Sequence, residues 1–148
     1  MSVPTTFFDQ LYEHNPDPWA FRDRWYEQRK RALTLASLPR QHYASIYELG
    51  CANGELSAGL AQRTDRLLCC DAAAKAVELA RERLRHCPHA QVQQSRIPAH
   101  WPEEHFELIV LYYNVPWGWW NFSYTYSESD YRTPGDRKTR QVICGKKK

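Results

Sequence analysis

The sequence contains no run of about 18 apolar residues, so it offers no helix able to span a bilayer. Its first ten residues, MSVPTTFFDQ, lack the basic stretch and apolar core that direct secretion. The expected location is the cytoplasm. No CxxC pair occurs among Cys51, Cys69, Cys70, Cys87 and Cys144, and their number is odd. Without an export signal, that argues against a disulfide framework. Cys87-Pro88-His89 stands too isolated for a zinc site, so no metal is expected. The cysteines read as small buried residues. No internal repeat is visible. Also lacking is a complete G-x-G-x-x-G, which weakens the case for a dinucleotide.

What remains is ordinary globular composition: 148 residues, 43% apolar and 25% charged, enough for one domain. The net charge of +3 is unevenly placed. From Tyr112 onward the chain carries +4, and the preceding part carries −1. The body is near neutral, so no nucleic-acid groove is expected, and the basic C-terminal end reads as a solvated tail.

Along the chain, Phe7 to Arg24 mixes aromatics with turn formers. Asn15-Pro16-Asp17-Pro18-Trp19 excludes regular helix or strand, because two prolines fix φ and restrict their predecessors. Asp17-Pro18 also suits a helix start. From about Phe21 the spacing predicts a helix, with Phe21, Trp25, Arg29, Ala32, Leu33 and Ala36 on one stripe, ending before Pro39. Ser45 to Leu49 predicts a strand, Glu55 to Arg63 a helix, and Arg66 to Cys70 a strand buried on both faces. Ala72 to His86 is the clearest helix, with Ala73, Ala76, Val77, Ala80 and Leu84 inward. Ala90 to Gln94 and Phe106 to Leu111 complete four strands. Strands alternating with helices imply parallel pairing through right-handed crossovers. The fold class is α/β and Rossmann-like, a parallel sheet with flanking helices.

Two features point to a ligand. Glu48-Leu49-Gly50-Cys51-Ala52-Asn53-Gly54 joins the first strand to its helix, where glycines let a ligand approach the backbone. Asp71 ends the second strand, 21 residues after Gly50, where a carboxylate accepts hydrogen bonds from ribose hydroxyls. Alone, the first is also a packing turn and the second a helix cap; together they indicate a nucleoside-type cofactor. Ala52 at the middle glycine position and the acid Glu48 ahead of Gly50 disfavour a pyrophosphate. They favour S-adenosylmethionine, which has one ribose, a sulfonium and no phosphate.

These residues resemble motif I of class I S-adenosylmethionine-dependent methyltransferases. More narrowly, the chain resembles the family of the nodulation-factor N-methyltransferase of rhizobia. The resemblance rests on Asn15-Pro16-Asp17-Pro18-Trp19 with Trp25-Tyr26-Glu27 and Arg29-Lys30-Arg31, on the ELGCANG loop, and on Trp101-Pro102 ahead of Phe106 to Leu111. It covers about Phe7 to Leu111. It implies that Glu48 and the loop Gly50, Cys51, Ala52, Asn53 and Gly54 hold the methionyl part of the cofactor. It further implies that Asp71 binds the ribose and that Ala72 lies near the adenine. Tyr12, Trp19 and Tyr26 would cover the cofactor, or only pack the N-terminal segment. Where relatives carry an acid after the third strand for the adenine amino group, this chain has Arg96, leaving Ser95 or a backbone group.

The resemblance stops at Leu111, with 37 residues left. Tyr112 to Lys148 holds nine aromatics and shows neither period 2 nor period 3.6. Two readings stand: a truncated or frame-shifted gene whose C-terminal strands are missing, or a genuine aromatic segment serving as a partner patch or acceptor lid. The first predicts no regular strand in the tail, an exposed edge on the fourth strand and dimer formation through it. The expected layout is an N-terminal helical cap (1–40), a partial cofactor-binding core (41–111) and an atypical tail (112–148). The expected activity is methyl transfer to a nitrogen or oxygen of a small molecule or saccharide, impaired by the altered C-terminus. The alternative is a non-catalytic cofactor-binding or interaction module. His100, Glu104 and His105 near the fourth strand read as a solvated loop, and no catalytic base is identified.

Overall fold

The computed structural model describes residues 5–96, 99–112 and 141–145. In chain order they form α1 (Thr5–His14), α2 (Trp25–Ala36), β1 (Ile46–Leu49), α3 (Glu55–Ala61), β2 (Leu67–Asp71), α4 (Ala74–Arg83), β3 (Ala90–Gln94), β4 (Leu108–Tyr112) and β5 (Gln141–Gly145). The strands make one sheet in the order β3-β2-β1-β4-β5, with every pairing parallel. No helix of the described residues is long and apolar enough to cross a membrane.

The register explains the core. Ile46 lies opposite Leu67 and Leu108, and Tyr47 opposite Leu68 and Ile109. Because strand side chains alternate, Ile46, Leu67, Cys69, Leu108 and Val110 share one face. There they pack against Leu56 and Leu60 of α3 and Val77 and Ala80 of α4. Tyr47, Leu68, Cys70 and Ile109 form the other face with Phe106, whose ring stacks on Tyr47 at 5.0 Å. All four residues of β1 are buried, as a central parallel strand requires. The chain passes outward through β2 and β3, then returns to the far side of β1 as β4. Such a reversal opens a crevice at the carboxyl ends of the strands.

Several elements depart from the sequence expectation. The segment Phe7 to Arg24, read as turns, begins with α1; Phe8 and Tyr12, four apart, face Ala73 and Ala76. Asp17 caps a run of turns rather than a helix, its carboxylate accepting from Phe21 N and Arg22 N, both at 2.8 Å. The helix predicted from Phe21 starts at Trp25. Its buried residues are Glu27, Lys30 and Thr34, whereas Trp25 is 70% exposed. The buried face is held by a Glu27–Lys30 ion pair at 2.6 Å, which an apolar stripe does not reveal.

The tail also departs. A strand forms at β5, and its residues Leu108↔Gln141 to Tyr112↔Gly145 pair with β4. The β-branched Val142 and Ile143 meet the open backbone edge of β4, which templates a strand even from a short run. The edge that was to mediate a dimer is thereby covered. The remaining tail, residues 113–140 with their aromatics, lies outside the described residues.

Candidate functional site

The loop after β1 carries three residues in the left-handed region: Gly50 at φ 69°, Ala52 at φ 50° and Gly54 at φ 79°. Three sets of contacts hold it there. Gly50 N and Cys51 N both donate to Cys70 O of β2, at 2.8 and 3.0 Å. Ala52 N donates to Asp71 Oδ2 at 2.9 Å. From α4, Arg83 Nε donates to Asn53 O at 2.9 Å while its guanidinium pairs with Glu55 at 2.6 Å.

Ala52 thus occupies a conformation that costs a non-glycine residue about 1 kcal/mol or more. Its amide needs that conformation to reach Asp71. Ala52→Gly is expected to stabilise the fold by about 0.5 kcal/mol, strain relief exceeding glycine's added chain entropy. Urea unfolding measures it; a loss of stability would contradict the strain.

Gly54 has a different reason from the one expected. A Cβ there would lie 3.1 Å from Ala80 Cα and 3.2 Å from Ala80 Cβ, so its bareness serves the close approach of α4. Buried Ser57 and Glu48 sit beneath the loop, and Ser57 Oγ donates to Glu48 Oε2 at 2.5 Å. Cys69 Sγ also faces that oxygen, at 3.4 Å. Glu48 Oε1 is buried without a hydrogen-bond partner among the described residues, and so is Asn53 Oδ1.

Burial pushes the Glu48 carboxyl up to about 7, with the bonds from Ser57 and Cys69 opposing and the Asp71 charge adding to the rise. The folded protein therefore binds a proton at Glu48 more tightly than the unfolded chain, whose value is near 4.5. This contribution is full below the unfolded value and is lost as pH rises toward about 7. Wild type should lose stability between about pH 5 and pH 8 relative to Glu48→Gln, which cannot titrate. Thermal melts at both pH values check it; parallel melting shifts in the two proteins would refute it.

Asp71 ends β2 half-buried, and burial raises its carboxyl above the usual range while the surrounding amides pull it down. Besides Ala52 N, it accepts Ala73 N at 3.0 Å, ahead of α4. It is thus both a loop anchor and a helix cap, with lone pairs to spare. Tyr12 is buried on Ala73 and Ala76 and meets Trp19 edge-to-face at 5.4 Å. Burial first, and the Asp71 charge second, raise the Tyr12 phenol. The N-terminal aromatics Tyr12 and Trp19 therefore cover the Asp71 end of α4.

The other candidates are spread more widely. The Ala72 carbonyl accepts from Gln94 Nε2 at 2.9 Å. Ser95 is buried and donates its amide to Asp71 O at 2.9 Å, but its hydroxyl faces His100 O at 3.3 Å. Tyr26 is half-buried on α2, its phenol raised by burial. His100 Nδ1 accepts from Arg96 N at 3.2 Å, and Glu104 pairs with Arg66 at 2.6 Å, as surface-loop residues do.

A crevice joins the loop to the N-terminal segment. Glu48, Cys51, Ala52 and Asn53 line it from β1 and its loop; Phe21 and Arg31 line it from the other segment. The Cys51 thiol is pushed well up by burial and stays protonated. Sequence reasoning missed Arg31 and Arg83. Arg83 lies outside the apolar stripe of α4, and its tie to Asn53, 30 residues away, has no signal in the local pattern.

The strand order, the left-handed loop after β1 and the carboxylate closing β2 define a Rossmann-like fold of the methyltransferase type. The family model of Nodulation protein S (NodS) matches residues 9–115. The chain belongs to the NodS family. It is 32% identical over 96 residues to Nodulation protein S of Rhizobium tropici, covering 64% of this chain and 40% of that protein. A solved protein of Pseudomonas syringae described as a methyltransferase is 61% identical, with TM-score 0.55, covering 62% of this chain and 61% of its own. N-methyltransferase NodS of Bradyrhizobium japonicum, solved with S-adenosyl-L-homocysteine, is 28% identical, with TM-score 0.65, covering 73% and 56%. The chain thus spans less than two thirds of each. A second family model, haemolysin secretion/activation protein ShlB/FhaC/HecB, matches residues 95–145, which is under half of the chain.

Proposed function

We propose that the chain is a cytoplasmic S-adenosylmethionine-dependent N-methyltransferase whose acceptor is an amine of a small molecule or saccharide. The observation that carries this is the Asp71 carboxylate gripping the loop after β1 beside the buried, half-satisfied Glu48. Membership of the NodS family supports it.

The residues present fit such a cofactor. Glu48 Oε1 and Asn53 Oδ1 are buried acceptors without partners among the described residues, suited to the ammonium of an amino acid. Asp71 has acceptor capacity for ribose hydroxyls, and Tyr12 and Trp19 wall that end off. Ala72 borders the adenine, with Ser95 nearby. When bound, S-adenosylmethionine supplies an electrophilic methyl group on a sulfonium. The chain's own task is to fix that group in line with the acceptor nitrogen and to exclude water. Loop, Asp71 and Arg83 perform the first part by rigid geometry.

In this reading residues 1–40 form the cap, 41–111 the cofactor half and 112–148 an atypical aromatic and basic tail. That last stretch offers no long aliphatic run, so turnover is slow. The test is methyl transfer from labelled S-adenosylmethionine to the free amine of a deacetylated chitooligosaccharide, followed by mass spectrometry. Slow accumulation of an N-methylated sugar supports the reading. No product, with the cofactor still bound, assigns the chain a non-catalytic binding role instead.

A further inference from the structure

α2 is built inside out. Its charged residues Glu27 and Lys30 are buried with Thr34, while Trp25, Arg29, Ala32, Leu33 and Ala36 are exposed. Steps of four, three, one and three residues put those five on one face of a helix, opposite the buried three. An amphipathic helix normally turns its apolar stripe toward the core. Here the Glu27–Lys30 pair takes the inner side, and Trp25 stands 70% exposed with Leu33 at 37%. Arg29 leans over the Trp25 indole, 5.9 Å from the ring centre, so the two form one exposed unit. Positive charge gathers at the same place. Phe21 to Arg40 holds six basic residues and two acids, although the chain up to Leu111 carries −1. Arg22, Arg24 and Arg29 are exposed, and among the described residues no carboxylate forms an ion pair with any of them.

We propose that the outward face of α2 docks on an anionic phospholipid bilayer. The charge is complementary: three unpaired guanidiniums surround the indole, and each can take a lipid phosphate through its fork of donors. Tryptophan is at home at the headgroup level, and arginine stems lie along apolar surface while their heads stay wet. Such a helix lies on the membrane and does not cross it. A protein partner fits less well. A stable interface needs about 800 Å² from each side, and one indole, one partly covered leucine and two alanines on a convex ridge fall short of that. A second copy would also set the same arginines against each other. A bilayer demands no matched shape.

The experiment is co-sedimentation of the full chain with phosphatidylcholine vesicles, with and without phosphatidylglycerol, at low and at high salt. The anionic vesicles should bind at least about 10-fold more tightly than the neutral ones, and salt should weaken that binding. Trp25→Ser should weaken it by about 10-fold. Arg29→Gln should weaken it by about fivefold, and Arg22→Gln, Arg24→Gln and Arg29→Gln together by about 100-fold. Thermal melts of these variants should match wild type, because the side chains are exposed. The basic end of the chain is the competing magnet, so Lys146→Gln, Lys147→Gln and Lys148→Gln are combined as a control. That triple variant should still bind and should keep the full effect of Trp25→Ser. If it abolishes binding, or if the α2 variants bind like wild type, the tail carries the contact and the proposal is overturned. Absence of vesicle binding also overturns it. Trp25-dependent self-association would then assign the face to a second copy, and no self-association would leave it to an acidic protein.

Discussion

Asp71→Ala is expected to lower the affinity for S-adenosylhomocysteine by about 100-fold or more. The carboxylate stands at the end of β2, with Oδ2 holding Ala52 N and Oδ1 holding Ala73 N. Each oxygen keeps a lone pair, and in the proposed complex these accept the two ribose hydroxyls. Hydrogen bonds to an ionised group are worth about 1.5–3 kcal/mol each, so losing two removes about 3 kcal/mol or more. The alanine also releases the Ala52 amide, and with it the loop proposed to hold the methionyl part. Asp71→Asn keeps one acceptor oxygen but turns an NH2 toward a backbone amide or a hydroxyl, so it falls between the two. Calorimetry on the three proteins gives the order. An unaffected Asp71→Ala would remove Asp71 from the site.

Gly54→Ala is expected to destabilise the fold by about 3 kcal/mol, the sum of two penalties. The left-handed φ of 79° costs a non-glycine residue about 1–2 kcal/mol. The new Cβ also meets Ala80 Cα at 3.1 Å, which is helix backbone and cannot swing aside as a side chain would. Forcing α4 outward strains the Ala76–Ala80 seam and the Arg83 contacts to the loop. Ala80→Gly in the same chain removes the 3.2 Å contact with Ala80 Cβ but neither the backbone contact nor the torsional cost, so it restores only part of the loss. Urea unfolding of single and double variants measures this. A Gly54→Ala protein as stable as wild type would mean that the loop rearranges freely, and the tight loop–α4 packing would be wrong. Ala52→Gly, two residues earlier, carries the opposite expected sign.

The central part of the molecule was legible because its residues obey local rules. β3 runs over Ala90–Gln94 as its turn boundaries predict, and the stripe Ala76, Val77 and Ala80 is buried as period 3.6 requires. The β1 loop was legible from its glycines and its place between an apolar strand and a helix. Other features depend on partners distant in sequence. The buried face of α2 is an ion pair, Glu27 with Lys30, so apolar spacing pointed to the wrong residues. α1 is hidden in the sequence because its inward pair, Phe8 and Tyr12, becomes meaningful only against Ala73 and Ala76 at the start of α4. β5 depends on an edge offered by β4 rather than on its own five residues, of which only Val142 and Ile143 are β-branched. Within the site, Asp71 and Glu48 were readable from position. The tie from Arg83 to Asn53 spans 30 residues, and no local pattern encodes it.

The claim on which the account turns is that the crevice beside β1 and β2 takes S-adenosyl ligands. The most direct measurement is a calorimetric titration of the full chain with S-adenosylhomocysteine and, separately, with NAD. The account predicts saturable binding of one S-adenosylhomocysteine per chain and far weaker binding of NAD, because Ala52 and Glu48 leave no seat for a pyrophosphate. Equal binding of the two, or no binding of S-adenosylhomocysteine, would contradict it.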